Sequence, residues 1–151
     1  MKNRYPAFII ISFFVFILDQ ATKFLIIRNL SFLQVIKIVP FFNIVYYRNI
    51  GSAFGMFKDL GNIFFIIISC AAIAVILAVL YREKETNFGY PLIIGGAAGN
   101  LMDRLIHGYV IDFLEFYAGS HYWPAFNIAD ASLTLGIILL LIHSFTRRKG
   151  V

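Results

Sequence analysis

Charge is what this sequence has least of: 14% of its 151 residues are charged, against 60% hydrophobic. A water-soluble domain of that length needs far more polar surface around its core, so a soluble globular fold is excluded. Cysteine is nearly absent. Cys70 stands alone, so no internal disulfide can form and redox compartment cannot be read from it. It lies inside an apolar run and reads as a buried small hydrophobe. The zinc motif His-Glu-x-x-His is missing, and the three histidines, His107, His121 and His143, are scattered without ligand spacing. Walker-type and dinucleotide-binding glycine patterns are missing too. Neither a metal nor an organic cofactor is expected.

What the sequence does have is long apolar runs. Four of them, residues 5–27, 60–81, 90–107 and 126–145, come near the roughly 20 residues that a helix needs to cross hydrocarbon. They leave no room for a soluble catalytic domain. The first run follows Lys2 and Arg4, as in a secretory leader, but no small-residue cleavage pattern follows it, so it reads as a retained helix. The expected fold is an all-α membrane protein: a four-transmembrane-helix bundle, one integral membrane domain over 1–151, with a small extracytoplasmic β-rich segment between helices 1 and 2.

The net charge of +5 does not point to nucleic acid. Lys2, Arg4, Arg82, Lys84, Arg147, Arg148 and Lys149 are seven of the 13 basic residues, and all fall at the termini or in the middle connection. With four spans those segments share one side, and the positive-inside rule makes it cytoplasmic. Residues 29–59 and 108–125 then lie outside. In 29–59, the runs Phe32 to Val39 and Phe42 to Tyr47 are rich in β-branched and aromatic residues and are separated by Pro40, which reads as strand, turn, strand. Their aromatic side chains suit a membrane interface, and Tyr117, Tyr122 and Trp123 give the second external loop the same character.

An ionisable group in hydrocarbon costs at least about 2.5–3.5 kcal/mol, so each needs a partner or a function. Asp19 and Lys23 are one helical turn apart and share a face. Asn100, Asp103, Arg104 and His107 form one polar stripe on the third helix. The Gly95-x-x-x-Gly99 spacing before it lets a neighbouring helix approach closely, so the stripe faces the bundle interior. Asn127 and Asp130 share a face at the outer end of the fourth helix, with Thr134 a turn deeper. Asp112 follows the third helix, and the loop returns the chain to the same surface, so Asp112 and Asp130 meet at similar depth. Asp103 lies further from that end of its own helix.

Two carboxylates at one site do not both ionise easily, because like-charge repulsion and low dielectric raise one pKa. One then serves as general base for water while the other, protonated, polarises a carbonyl. That is aspartic-protease chemistry and needs no metal. The same residues suit a proton relay in a small carrier, with Arg104 as a further member. A non-enzymatic assembly factor binding partner helices is a third reading. A serine hydrolase at Ser52 is disfavoured because no histidine is evidently paired with it.

Taken together the polar segments resemble the lipoprotein signal peptidase family (type II signal peptidases). Asp19-Gln20-Ala21-Thr22-Lys23 is similar to its Asp-Gln-x-[Thr/Ser]-Lys, and Asn49-Ile50-Gly51-Ser52-Ala53-Phe54 to its Asn-x-Gly-x-Ala-[Phe/Trp]. Gly99-Asn100-Leu101-Met102-Asp103-Arg104 with Gly108-Tyr109-Val110-Ile111-Asp112-Phe113 resembles Gly-Asn-x-x-Asp-Arg…Gly-x-Val-x-Asp-[Phe/Tyr]. Phe126-Asn127-Ile128-Ala129-Asp130 resembles Phe-Asn-x-Ala-Asp. The motifs occur in family order over residues 19–130. The resemblance implies an aspartic endopeptidase of the bacterial inner membrane that removes signal peptides from diacylglyceryl-modified prolipoproteins, cleaving N-terminal to the lipidated cysteine. It implies Asp112 and Asp130 as the catalytic pair. Asn49, Gly51, Asn100, Arg104 and Asn127 become substrate-binding or site-supporting residues, and Asp19, Lys23 and Asp103 structural polar ones. Membrane lipids and a globomycin-type inhibitor are implied partners, with the active site near the extracytoplasmic face. The aromatic segment from Phe32 to Phe57, Phe54 above all, is expected to act as a lid over that site.

Overall fold

The computed structural model describes residues 5–51, 61–83 and 87–148. Among them, four helices and four strands follow the order α1 (Tyr5–Asn29), β1 (Val35–Val39), β2 (Phe42–Asn49), α2 (Gly61–Glu83), α3 (Gly89–His107), β3 (Val110–Ala118), β4 (His121–Tyr122) and α4 (Ile128–Arg148). The burial pattern is inverted relative to a soluble protein. Ile9, Phe13 and Ile63 are 69%, 64% and 71% exposed, whereas Asp19 and Lys23 are 0% and 1% exposed. Apolar side chains outside and ions inside suit a hydrocarbon solvent.

Three helices are long and apolar enough to cross a membrane: Tyr5–Asn29, Gly61–Arg82 and Ile128–Thr146. The expected count of four therefore does not follow from length and apolarity alone. The exception is α3, whose Asn100, Asp103, Arg104 and His107 lower its apolar content. It packs against α1, α2 and α4, which bury Asn100 and Asp103 and half-bury Arg104, whereas His107 at its C-terminal end is exposed, against the expectation that the whole stripe faces the interior. The close approach depends on glycine. A Cβ on Gly95 would meet the Ser12 carbonyl oxygen of α1 at 2.6 Å, and one on Gly96 the Ala129 carbonyl oxygen of α4, also at 2.6 Å. Gly96→Val is thus expected to destabilise the bundle by about 1–3 kcal/mol, the usual cost of overpacking, read as a lower midpoint of thermal unfolding in detergent. An unchanged midpoint would mean that α4 yields freely at this contact.

The sheet agrees with the expected β-rich segment between the first two helices and extends it by two strands that lie between α3 and α4. Its order is β1-β2-β3-β4, all antiparallel, and it draws strands from the α1–α2 and the α3–α4 connections. Gly108, in the left-handed conformation with φ 78°, caps α3 through its N–H on the Arg104 carbonyl and turns the chain into β3. The segment Val110–Ala118 carries Asp112 and Glu115, residue types depleted in strands, which is why periodicity alone does not reveal it. Phe126 bridges to Leu114, so α4 starts at Ile128 and not at 126. Ile26, Tyr46, Ile111 and Phe113 form a core that fixes the sheet to the C-terminal end of α1. The proposed lid falls partly outside the described residues. Residues up to Gly51 build β1, β2 and the following turn, whereas Ser52, Phe54 and Phe57 lie beyond what is described.

Candidate active site

Asp112 sits in β3 directly opposite Tyr47 of β2, and Asn49, two residues further along, donates from Nδ2 to Asp112 Oδ2 at 3.0 Å. Asn49 also accepts, at Oδ1, the Gly51 N–H at 2.9 Å, in a tight turn where Gly51 has φ 106°. Asp130 reaches the same place from α4. Asn127 caps the helix by accepting the Asp130 N–H at 2.8 Å, while Asp130 Oδ2 accepts the Asn127 N–H at 3.3 Å. This is a reciprocal capping box, and it locks the orientation of the Asp130 carboxyl by the same bonds that start the helix.

Asn127, fully buried, joins the two acids. Its Nδ2 donates to Asp112 Oδ1 at 2.8 Å and to the Ile111 carbonyl at 3.2 Å. Asn100 of α3 donates to Asp130 Oδ1 at 2.7 Å, and its own Oδ1 accepts from Lys23 Nζ at 3.1 Å. Behind this layer Lys23 forms ion pairs with Asp19 at 2.8 Å and Asp103 at 2.9 Å. Asp103 also accepts the Ile111 N–H at 3.1 Å, next to Asp112 in the chain, and Asp19 accepts the Ala129 N–H at 2.9 Å, in the first turn of α4. The buried ionic layer thus grips the backbone on which each cleft acid is mounted.

Sequence reasoning gave Gln20 no role. Its amide binds Asp19, Asp103 and the Gly99 carbonyl at 3.2, 2.9 and 3.2 Å. Its position three residues before Lys23, on the same helix face, was the available indication. Arg104 lies to the side. Its guanidinium stands over the Phe65 ring at 5.1 Å and bonds the Asn100 carbonyl at 3.2 Å.

Asp112 and Asp130 head an open cleft of about 800 Å³ whose mouth carries Tyr47 and Trp123 and whose wall continues down α4 through Thr134, Leu135 and Ile138. From Asp130 to Ile138 the helix descends roughly 12 Å, so the cleft is polar at the acids and apolar below them. Asp112 is 3% exposed. Burial, and then the neighbouring Asp130 charge, push its carboxyl up to about 7, against the hydrogen bonds from Asn49 and Asn127. Among the described residues no three His, Cys, Asp or Glu side chains converge to hold a metal ion.

Known proteins are similar to this chain over nearly its whole length. It is similar to lipoprotein signal peptidases of Thermodesulfovibrio yellowstonii (46% identical, covering 89% of this chain and 92% of the relative) and Alteromonas mediterranea (43% identical, 91% and 80%). A bacterial membrane enzyme solved by the in meso method superposes with a TM-score of 0.89 at 32% identity, over 99% of this chain and 93% of that one. A second such structure gives a TM-score of 0.83 at 34% identity, over 94% of each. The family model described as signal peptidase (SPase) II matches residues 11–146. The chain therefore belongs to the signal peptidase II family of aspartyl-type membrane proteases, whose activity is the removal of signal peptides from prolipoproteins.

Proposed function

We propose that Asp112 and Asp130 carry out this cleavage on diacylglyceryl-modified prolipoproteins, N-terminal to the lipidated cysteine. The observation that carries the reading is one buried asparagine, Asn127, tying together two acids at the head of a cleft that turns apolar down α4. An apolar signal helix and two acyl chains enter such a cleft from lipid, and the acyl chains set the depth of the scissile bond. Asp112, the carboxyl raised to about 7, is the protonated partner that polarises the scissile carbonyl. Asp130 is the general base that activates water. Asn49, Gly51, Asn100 and Asn127 hold the acids and the substrate backbone, Arg104 supports the site from α3, and Asp19, Lys23 and Asp103 are structural.

In the same reading α3 is the fourth span of a single membrane domain, tolerated in the bilayer because other helices cover its Asn100 and Asp103. Both termini are cytoplasmic, the cleft opens near the extracytoplasmic face of the inner membrane, and a globomycin-type inhibitor occupies it. Cleavage of a diacylglyceryl-modified prolipoprotein in detergent, followed against pH, tests the proposal. With Asp112 needed in its protonated form, kcat/KM should fall as pH rises through about 7. The unmodified precursor should be a poor substrate. Equal cleavage of both precursors, or a rate that climbs through that pH, would overturn the assignment.

A further inference from the structure

We propose that Phe65 of α2 is a positioning residue for the cleavage reaction, its ring holding in place the Asn49–Gly51 turn that orients Asp112. The inference rests on Asp112 and Asp130 being the catalytic pair.

Among the described residues, α2 supplies none of the groups hydrogen-bonded to Asp112 or Asp130, and residues 61–81 carry no charge. It does present a stripe at helical spacing. Asn62, Phe65, Ile66 and Ser69 are half-buried, while Ile63, Phe64 and Ile67 are exposed. In hydrocarbon a phenyl ring is solvated by lipid as well as by protein, so no hydrophobic force draws Phe65 inward. Its place is set by specific contacts instead.

Two contacts meet on that ring. The Arg104 guanidinium stands over it, 5.1 Å from the centroid, a cation–π contact. One turn earlier on the same face, Asn62 donates from Nδ2 to the Arg104 carbonyl at 3.0 Å, so α2 grips Arg104 by side chain and backbone. The ring, thus fixed to α3, lies against Gly51. The three atoms nearest to the space that a Cβ on Gly51 would occupy all belong to the Phe65 ring. Glycine is therefore required at 51 twice over, by its φ of 106° and by this ring. From Gly51 the path to the acid is short. The Gly51 N–H holds Asn49 Oδ1 at 2.9 Å, and Nδ2 of the same planar amide donates to Asp112 Oδ2 at 3.0 Å. An amide bound at both ends has a fixed direction, so the position of Gly51 sets the bond that Asp112 receives. With the ring gone, the turn is free to shift, and Asn49 shifts with it.

The test compares wild type, Phe65→Leu, Phe65→Tyr, Asn49→Ala and the double variant Phe65→Leu with Asn49→Ala on diacylglyceryl-modified prolipoprotein in detergent, with kcat and KM separated and thermal unfolding recorded. Phe65→Leu keeps the span apolar but has no ring to lie on Gly51 or beneath a guanidinium. It should lower kcat about tenfold, since small misplacements near the reacting bond are costly. KM should change little, because the apolar wall of the cleft along α4 is untouched. Phe65→Tyr, which retains the ring, should stay within about twofold of wild type. Asn49→Ala removes the amide through which the ring acts, so adding Phe65→Leu to it should cost less than about twofold more. Should Phe65→Leu not fold, Phe65→Met takes its place in the same comparison. Wild-type kcat in Phe65→Leu, or losses that multiply in the double variant, would reduce Phe65 to a packing residue. A fallen unfolding midpoint and a lost activity that Phe65→Tyr does not recover would do the same. Cleavage surviving in Asp112→Asn would instead overturn the catalytic pair itself, whereas loss there with wild-type kcat in Phe65→Leu would overturn the Phe65 assignment alone.

Discussion

Asp112→Asn and Asp130→Asn are each expected to lower cleavage of a lipidated prolipoprotein by about 10²–10⁴-fold, the usual contribution of a positioned acid or base. The substitution suits the test because it removes proton transfer and leaves the local bonds nearly intact. An asparagine at 130 still offers an oxygen to the Asn127 N–H, so the cap that starts α4 survives. At 112 it still accepts from Asn49 or Asn127. Thermal unfolding in detergent should therefore move little while turnover collapses. Because the acids act as one unit, the double variant should be scarcely worse than either single one. A chelator should not alter wild-type cleavage. Undiminished turnover in either variant would remove that residue from the chemistry. Asp103 would be the next to examine, since it bonds the Ile111 N–H beside Asp112.

Lys23→Met should give the largest loss of stability, about 3–5 kcal/mol. Lys23 is 1% exposed and is shared by Asp19 and Asp103, themselves 0% and 2% exposed. Methionine has similar length but no charge, so two carboxylates remain buried against each other without a cation. They must take up protons or draw in water, and both loosen the contact of α1 with α3. At roughly 2–4 °C per kcal/mol for a chain of this size, the unfolding midpoint should fall by on the order of 10 °C. Adding Asp19→Asn and Asp103→Asn to Lys23→Met should restore much of it, because a neutral hydrogen-bonded layer has no charge left to compensate. A small effect of Lys23→Met alone would mean that water already reaches the layer. Failure of the triple variant to recover would show that the geometry of the ion pair itself is needed. Activity should follow stability here, as the layer holds Ile111 and Ala129, the residues next to Asp112 and Asp130.

Local pattern along the chain already specifies the solvent and most of the elements. Apolar runs of helical length specify spans whatever they later pack against, and Pro40 between two β-branched, aromatic runs specifies a hairpin, found as β1 and β2. Turn spacing likewise places Asn100, Asp103 and Arg104 on one face of α3, and Asn127 next to Asp130. Tertiary structure alone decided what those faces meet. Lys23 is four residues from Asp19 in the chain, but its second partner, Asp103, is 80 positions away and is reached only because glycines let α1 and α3 touch. Asp112 belongs to a strand that exists because β2 lies beside it, a pairing that no local propensity around two acids would predict. Phe65 is one apolar residue among many in its span and lies in no motif, so its contact with Gly51 is invisible in sequence. Helical period is local and survives in the one-dimensional pattern. Strand register, the bulge between Ile44 and Tyr47 and the burial of a carboxyl depend on partners distant in the chain, so only the assembled molecule shows them.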